Sequence, residues 1–178
     1  LALIAQADRY REGGDDSIVW SALGRTAQRR ALREMAAITG DHLPGLDLRR
    51  EVEELNRRGL GETVLVLDGS GAVEGFALLR LAAYREIGVT GRVYLHALGV
   101  RRGADDASVF DELLRGIWRR GTTRGFTRVF SGIVGRYGRA VELALDGGFR
   151  AVRATVTMID GRSRPEAFEP SDAIHISR

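Results

Sequence analysis

The sequence predicts a mixed α/β (α+β) domain of three layers, a mostly antiparallel central sheet with helices on both faces. Three observations predict it. Apolar residues recur alternately at helical and at strand-like spacing along the chain. Two β-branched runs flank the turn GSGA in the manner of a hairpin. The order of elements (two helices, three consecutive strands, then strands separated by helices) begins antiparallel and ends in crossovers. A doubly wound dinucleotide fold is excluded, because it needs strict alternation and a glycine-rich first turn.

Residues 1–16 end in the polar run REGGDD and read as an N-terminal arm or a short extra helix. SIVW at 17–20 reads as a short strand. From Thr26, the expected N-cap, Ala31, Leu32, Met35 and Ile38 recur at helical spacing up to Gly40, the expected stop. The loop DHLPGL leads to a second helix that carries Leu48, Val52 and Leu55, with Asp47 as its expected N-cap. Strands follow at 62–68 and 73–81 around the hairpin turn, and a third at 92–100, RVYLHALGV. The next helix has the most regular apolar face in the chain: Val109, Leu113, Leu114, Ile117 and Trp118. FTRVFSGIV at 126–134 is a strand, GRYGRAVELALDGG a helix, and 149–160 a long strand. The main domain is therefore expected over 17–160, with 161–178 a tail whose AIHISR alternates like a last strand.

Composition bounds the chemistry. The chain has 178 residues, 44% hydrophobic and 29% charged, so one domain can bury a full core without staples. With no Cys, disulfides and Cys-ligated metals are excluded. All 27 basic residues are Arg, which excludes Schiff-base lysine chemistry and a P-loop lysine on this chain. The net charge of +3 does not by itself argue for nucleic acid. The N-terminal apolar run is too short for a signal peptide or a spanning helix, so the expected place is cytoplasmic, with no membrane partner. The three His are far apart in sequence, and no H-E-x-x-H or similar spacing exists, so no metal is expected.

Four stretches, VLVLDGSGAVEGFALLR, VYLHALGV, the helix with DELL, and AVELALDGGFRAV, resemble the GNAT superfamily of acyl-CoA-dependent N-acetyltransferases. The spacing from Val100 to the pair Leu113 and Leu114 matches the family. The resemblance implies a GNAT-like fold, acetyl-CoA as co-substrate, and direct attack of an amine on the thioester. The acceptor would be a small-molecule or peptide amine. The strand end Leu98, Gly99 and Val100 would offer backbone groups to the pantetheine arm. The following loop and first helical turn, with Arg102, Gly103, Ala107 and Ser108, would meet the pyrophosphate at a helix N-terminus. In the register that keeps the Leu-Leu spacing, Asp105, Ser108 and Phe110 stand at the loop's R/Q, first glycine and closing positions; sliding back by three aligns Arg102, Asp105 and Ala107 instead. In the helix before Gly148 and Phe149, Ala140 and Leu143 match the family pattern N-x-x-A-x-x-L-Y. Tyr137 takes its Asn position, and Ala144 takes the place of the Tyr that protonates the departing thiolate. The usual acid is therefore absent, and the thiolate would be protonated by Tyr137 moved by a helical turn, by a water or by solvent; Tyr137 is the candidate side chain.

His96 is the candidate base, because an imidazole titrates near neutrality; a half-buried structural histidine is the plainer reading. The two-residue period puts Tyr94, His96, Leu98 and Val100 on one strand face. Tyr94 is a poor base and serves packing or orientation. His42 falls where the acceptor wall would be, and His175 is uninformative. Arg115, Arg119, Arg120, Arg124 and Arg128 form a basic stripe, but the acids Asp105, Asp106, Asp111 and Glu112 open the same helix, and this arrangement complements the helix dipole without a ligand. A second functional reading is a catalytically inactive GNAT-like domain, serving binding or homodimer formation or standing as the inactive half of a tandem protein. A third is an Arg-mediated nucleic-acid binder.

Overall fold

The computed structural model describes residues 2–6, 16–81, 92–126, 128–132 and 138–153. Strands are β1 (Ala2–Gln6), β2 (Ile18–Val19), β3 (Gly61–Leu67), β4 (Val73–Arg80), β5 (Arg92–Val100), β6 (Arg128–Gly132) and β7 (Arg150–Arg153). Helices are α1 (Arg25–His42), α2 (Arg49–Arg57), α3 (Asp106–Thr123) and α4 (Gly138–Asp146), with a 3-10 turn at Trp20–Ala22. Among the described residues the strands form one sheet in the order β2-β3-β4-β5-β6-β1-β7. All neighbours are antiparallel except β5 and β6, which are joined through α3 and run parallel.

The two helical layers follow from the apolar patterns. α1 and α2 lay Ala31, Leu32, Met35, Ile38, Val52 and Leu55 against Leu65, Phe76 and Leu78 on one sheet face. α3 lays Val109, Leu113, Leu114, Ile117 and Trp118 on the other, against Val64, Val66, Leu79, Val93 and Leu95, joined by Leu143 and Ala144 of α4. Each large side chain so buried contributes about 1.5–3 kcal/mol. Gly75 of β4 lets α3 approach closely, since a Cβ there would run into Val109 and lie 3.2 Å from Leu113. Asn56 clamps α2 to β3: its amide donates to Val52 O (2.7 Å) and Thr63 Oγ1 (2.8 Å) and accepts from Thr63 N–H.

Several boundaries differ from the sequence reading. The N-cap of α1 is Gly24, not Thr26, and the helix runs through Gly40 to His42. Its last turn is anchored from outside, by the contact of His42 with Val100 O, and this outweighs the roughly 1 kcal/mol cost of a helical glycine. Asp47 does not cap α2, whose N-cap is Leu48. Its carboxylate folds onto Arg49 instead, accepting the backbone N–H at 3.0 Å and the guanidinium at 2.7 Å, and Arg49 lowers its pKa to about 2. Residues 2–6, read as part of an arm or short helix, form strand β1 between β6 and β7. Tyr137, His175, residues 154–160 of the last predicted strand, and the tail lie outside the described residues.

Candidate functional site

Two features of β5 create the site. The first is where β5 and β6 part. Their parallel pairing runs from Arg92↔Arg128 to Leu95↔Ser131, and Ser131 Oγ donates to Leu95 O (3.3 Å) at the last rung. Beyond it, residues 97–100 pair with β4 alone among the described residues. Among the described residues, the β6-facing edge of β5 therefore has no ladder partner there.

The second feature is a bulge. Leu78 pairs with Ala97 and Leu79 with Leu95, so His96 is an extra residue on β5. A bulge re-aims a side chain and breaks the alternation of faces. The predicted common face for Tyr94, His96, Leu98 and Val100 is corrected accordingly. Leu98 and Val100 pack toward α3 with Val93 and Leu95. His96 instead reaches α2, its Nε2 3.1 Å from Glu51 Oε1. The Tyr94 ring lies 6.0 Å from the His96 ring, centroid to centroid. Burial raises the Tyr94 phenol above its usual range, an effect partly offset by Arg80, so Tyr94 remains a neutral O–H donor.

The strand end is held by the last turn of α1. His42 Nε2 is 2.9 Å from Val100 O; a carbonyl only accepts, so this nitrogen carries the hydrogen. Arg102 donates to Asp41 O (2.9 Å), tying the loop to the end of α1. A Cβ on Gly99 would come within 2.6 Å of the Phe76 ring and 2.9 Å of Ile38, so this position is required by packing. Gly103, at φ 85°, occupies the left-handed region in the turn closed by Ala104 N–H to Arg101 O.

The N-terminus of α3 is filled by the chain's own carboxylates. Asp105 precedes the helix and accepts the Ser108 N–H at 3.3 Å, as an N-cap does. Asp106 receives a two-pronged ion pair from Arg139 of α4, at 2.7 and 3.0 Å. That guanidinium holds the Asp106 carboxyl below its usual range. Ala107 and Ser108 are exposed in the first turn. Arg101, the first loop cation, is engaged by Asp68 (2.8 Å) and Glu74 (3.2 Å). In the basic stripe, Arg115 pairs with Asp111 and Arg124 with Glu62. The position of the missing family tyrosine, Ala144, is 2% exposed in the α3 core, and no donor can stand there. Among the described residues no group of three or more His, Asp or Glu gathers as a metal site would need, and no helix is long and apolar enough to cross a membrane.

The structure thus brings Tyr94 and His96 together, while His42 and Arg102 hold the end of β5 and its loop to α1. Sequence reasoning missed Glu51 and Arg139. Glu51 had a readable signal: Leu48, Glu51, Val52 and Leu55 follow the i, i+3, i+4, i+7 template, with a carboxylate at an inward-phase position. Arg139 carried none, because its partner is set by tertiary packing alone.

No protein-family model and no curated protein matches the chain. Its fold is that of GNAT acetyltransferases. An aminoglycoside N-acetyltransferase solved in complex with CoA superposes with a TM-score of 0.64 at 18% identity, over 84% of this chain and 97% of that one. A probable acetyltransferase gives 0.64 at 18% identity, over 81% of this chain and 98% of that one. A GNAT-family acetyltransferase from Colwellia psychrerythraea gives 0.64 at 13% identity, over 84% of this chain but 51% of that chain, so the match spans about half of that protein.

Proposed function

We propose that this chain is an N-acyltransferase that moves an acetyl or related acyl group from acyl-CoA to a primary amine by direct attack. The observation that carries the reading is the bulge that delivers His96 beside the point where β5 and β6 part. The edge of residues 96–99, without a ladder partner on the β6 side among the described residues, suits the amide groups of a pantetheine arm, and the arm would bring the thioester carbonyl to the splay. His96 takes a proton from the acceptor ammonium, so that the free amine can form the new C–N bond as the C–S bond breaks. Tyr94, neutral and half-buried, supplies an O–H donor at the same place. Tyr137 is the proposed proton source for the departing thiolate. The fit to the co-substrate is uneven: the strand edge suits the pantetheine arm, whereas the phosphates would meet Asp105 and Asp106 at the α3 terminus.

A second reading, a GNAT-like domain without catalysis, is favoured by one observation. Asp105 already occupies the helix end where the pyrophosphate would bind. A carboxylate ~5 Å from a phosphate at an effective dielectric of ~20 opposes binding by roughly 3 kcal/mol, against about 0.3–1 kcal/mol from the helix dipole. Thermal-shift and calorimetric titration with acetyl-CoA separates the two. Ligand at 100 times Kd stabilises the folded chain by about 2.7 kcal/mol. Absence of any shift at millimolar acetyl-CoA would reject the transferase reading and favour the binding module.

A further inference from the structure

We propose that Glu51 of α2 is the positioning residue for His96: it holds the ring with hydrogen on Nε2 and leaves Nδ1 as the nitrogen that accepts the acceptor's proton. The inference rests on the transferase reading for its role in turnover, but the pairing itself stands on geometry. Glu51 Oε1 lies 3.1 Å from Nε2, an ion-pair distance, and because an ionised carboxylate accepts and never donates, this approach favours the ring form that carries its hydrogen on Nε2. Among the described residues no hydrogen-bond partner of Nδ1 is found, so in that form Nδ1 keeps its lone pair. The two groups come from elements far apart in sequence, and both are anchored. His96 is on the bulge, fixed by flanking rungs at Leu95 and Ala97. Glu51 lies between the buried Leu48 and Val52 on the inward-turned side of α2, and its side chain is 35% exposed while that of His96 is 26% exposed. Its neighbours Glu53 and Glu54 face solvent.

The chemical consequence is definite. When Nδ1 takes a proton from R–NH3+, the products are R–NH2 and an imidazolium whose Nε2 side lies 3.1 Å from a carboxylate. The positive charge thus forms beside a fixed negative one, and the ring need not turn to find it. Glu51 itself takes no proton and touches no substrate in this scheme.

Two arms test it. In the first, long-range 15N–1H correlation of the whole chain at pH 8 reads the His96 tautomer without any substrate. The expected result is Nε2–H with a slowly exchanging, low-field proton that Glu51→Ala abolishes; Nδ1–H in the unmodified chain, or an Nε2–H signal unaltered by Glu51→Ala, overturns the pairing. In the second arm, acetyl-CoA turnover is followed by thiol release with spermidine, a peptide with a free N-terminus, and an aminoglycoside as probe amines. With whichever probe is used, His96→Ala is expected to lower kcat by about 10²- to 10⁴-fold, and Glu51→Gln by at least about 10-fold, with KM for acetyl-CoA unchanged. The double variant should match His96→Ala within about 2-fold, since Glu51 acts only through His96. A further loss in the double variant would mean that Glu51 meets the amine directly, and the positioning role falls. If no amine is turned over and acetyl-CoA does not bind, the transferase reading fails while the spectroscopic arm still decides the pair.

Discussion

On one side of the β5–β6 opening, the bulge and α2 bring His96, Glu51 and Tyr94 together with groups left over for chemistry. On the other, the loop and the start of α3 spend their charges on each other: Arg101 on Asp68 and Glu74, Arg102 on Asp41 O, Asp105 on the Ser108 N–H, Asp106 on Arg139. On the proposed reading, the same fold therefore carries an acceptor side with uncommitted capacity and a cofactor side that is internally satisfied. Satisfied polar groups stabilise a loop and oppose an incoming anion at once, because a ligand must replace bonds as well as make them. Net charge, +3 over the chain, says nothing of this difference.

The largest effect expected comes from wedging the acceptor side apart. Gly99→Ala places a Cβ 2.6 Å from the Phe76 ring and 2.9 Å from Ile38, both in the core beneath α1. Ring and helix must shift, and overpacking of this kind costs typically about 1–3 kcal/mol. Urea unfolding should show that loss, and the His96 ring signals should move with it, whereas probes on the far side of the sheet, such as the Trp118 indole, should stay in place. Equal disturbance of both faces would show that the two layers are not independent.

The layers were legible before the structure, and the contrast between the two sides was not. The spacing of Leu113 and Leu114 after Val100 was readable because a helix that buries two adjacent leucines on a sheet keeps its phase, and both side chains are fully buried. The face of His96 was misread because a two-residue period presumes an unbroken ladder, and the bulge is a property of the register between two strands. Glu51 stood in an inward helical phase yet resembles the two other glutamates beside it in composition alone. In the sequence Asp105 reads only as an acid at the loop's R/Q position that complements the helix dipole, and its hydrogen bond to the Ser108 N–H shows it as a cap as well. The pairing of Asp106 with Arg139 spans 33 residues, and no local pattern encodes it. Strand β1 is invisible for the same reason: its partners, β6 and β7, lie more than a hundred residues away in the chain.

Relieving the cofactor side is the next test. Asp105→Asn keeps a capping oxygen for the Ser108 N–H and removes the charge. The site is exposed, so solvent and salt screen much of the repulsion, and the expected gain in acetyl-CoA affinity is about tenfold at low ionic strength, shrinking as salt is raised. Calorimetry at two salt concentrations reads both. An unchanged affinity would place the phosphates away from this helix end and would leave Asp105 a cap and nothing more.

The smallest expected effect is a pH dependence that belongs to the cofactor side alone. Asp68 is held far below the usual carboxylate range, first by the Ser70 hydroxyl at 2.6 Å, then by the Arg101 guanidinium at 2.8 Å and the Ala72 N–H at 2.9 Å. A carboxyl whose folded value lies below its unfolded value of about 3.9 adds stability that is fully present above the unfolded value. That contribution fades as pH falls below about 4 toward the folded value, where protonation releases Arg101 and loosens the hairpin turn. The melting temperature of the unmodified chain should therefore fall more steeply between about pH 4 and pH 2 than that of Asp68→Asn, which has no such proton to bind. The group is solvent-facing, so the difference in slope is small, and parallel curves would mean that the Asp68–Arg101 link adds nothing to the folded state. A difference in slope accompanied by tighter acetyl-CoA binding in Asp68→Asn would go further, since it would show that the hairpin withholds Arg101 from the loop.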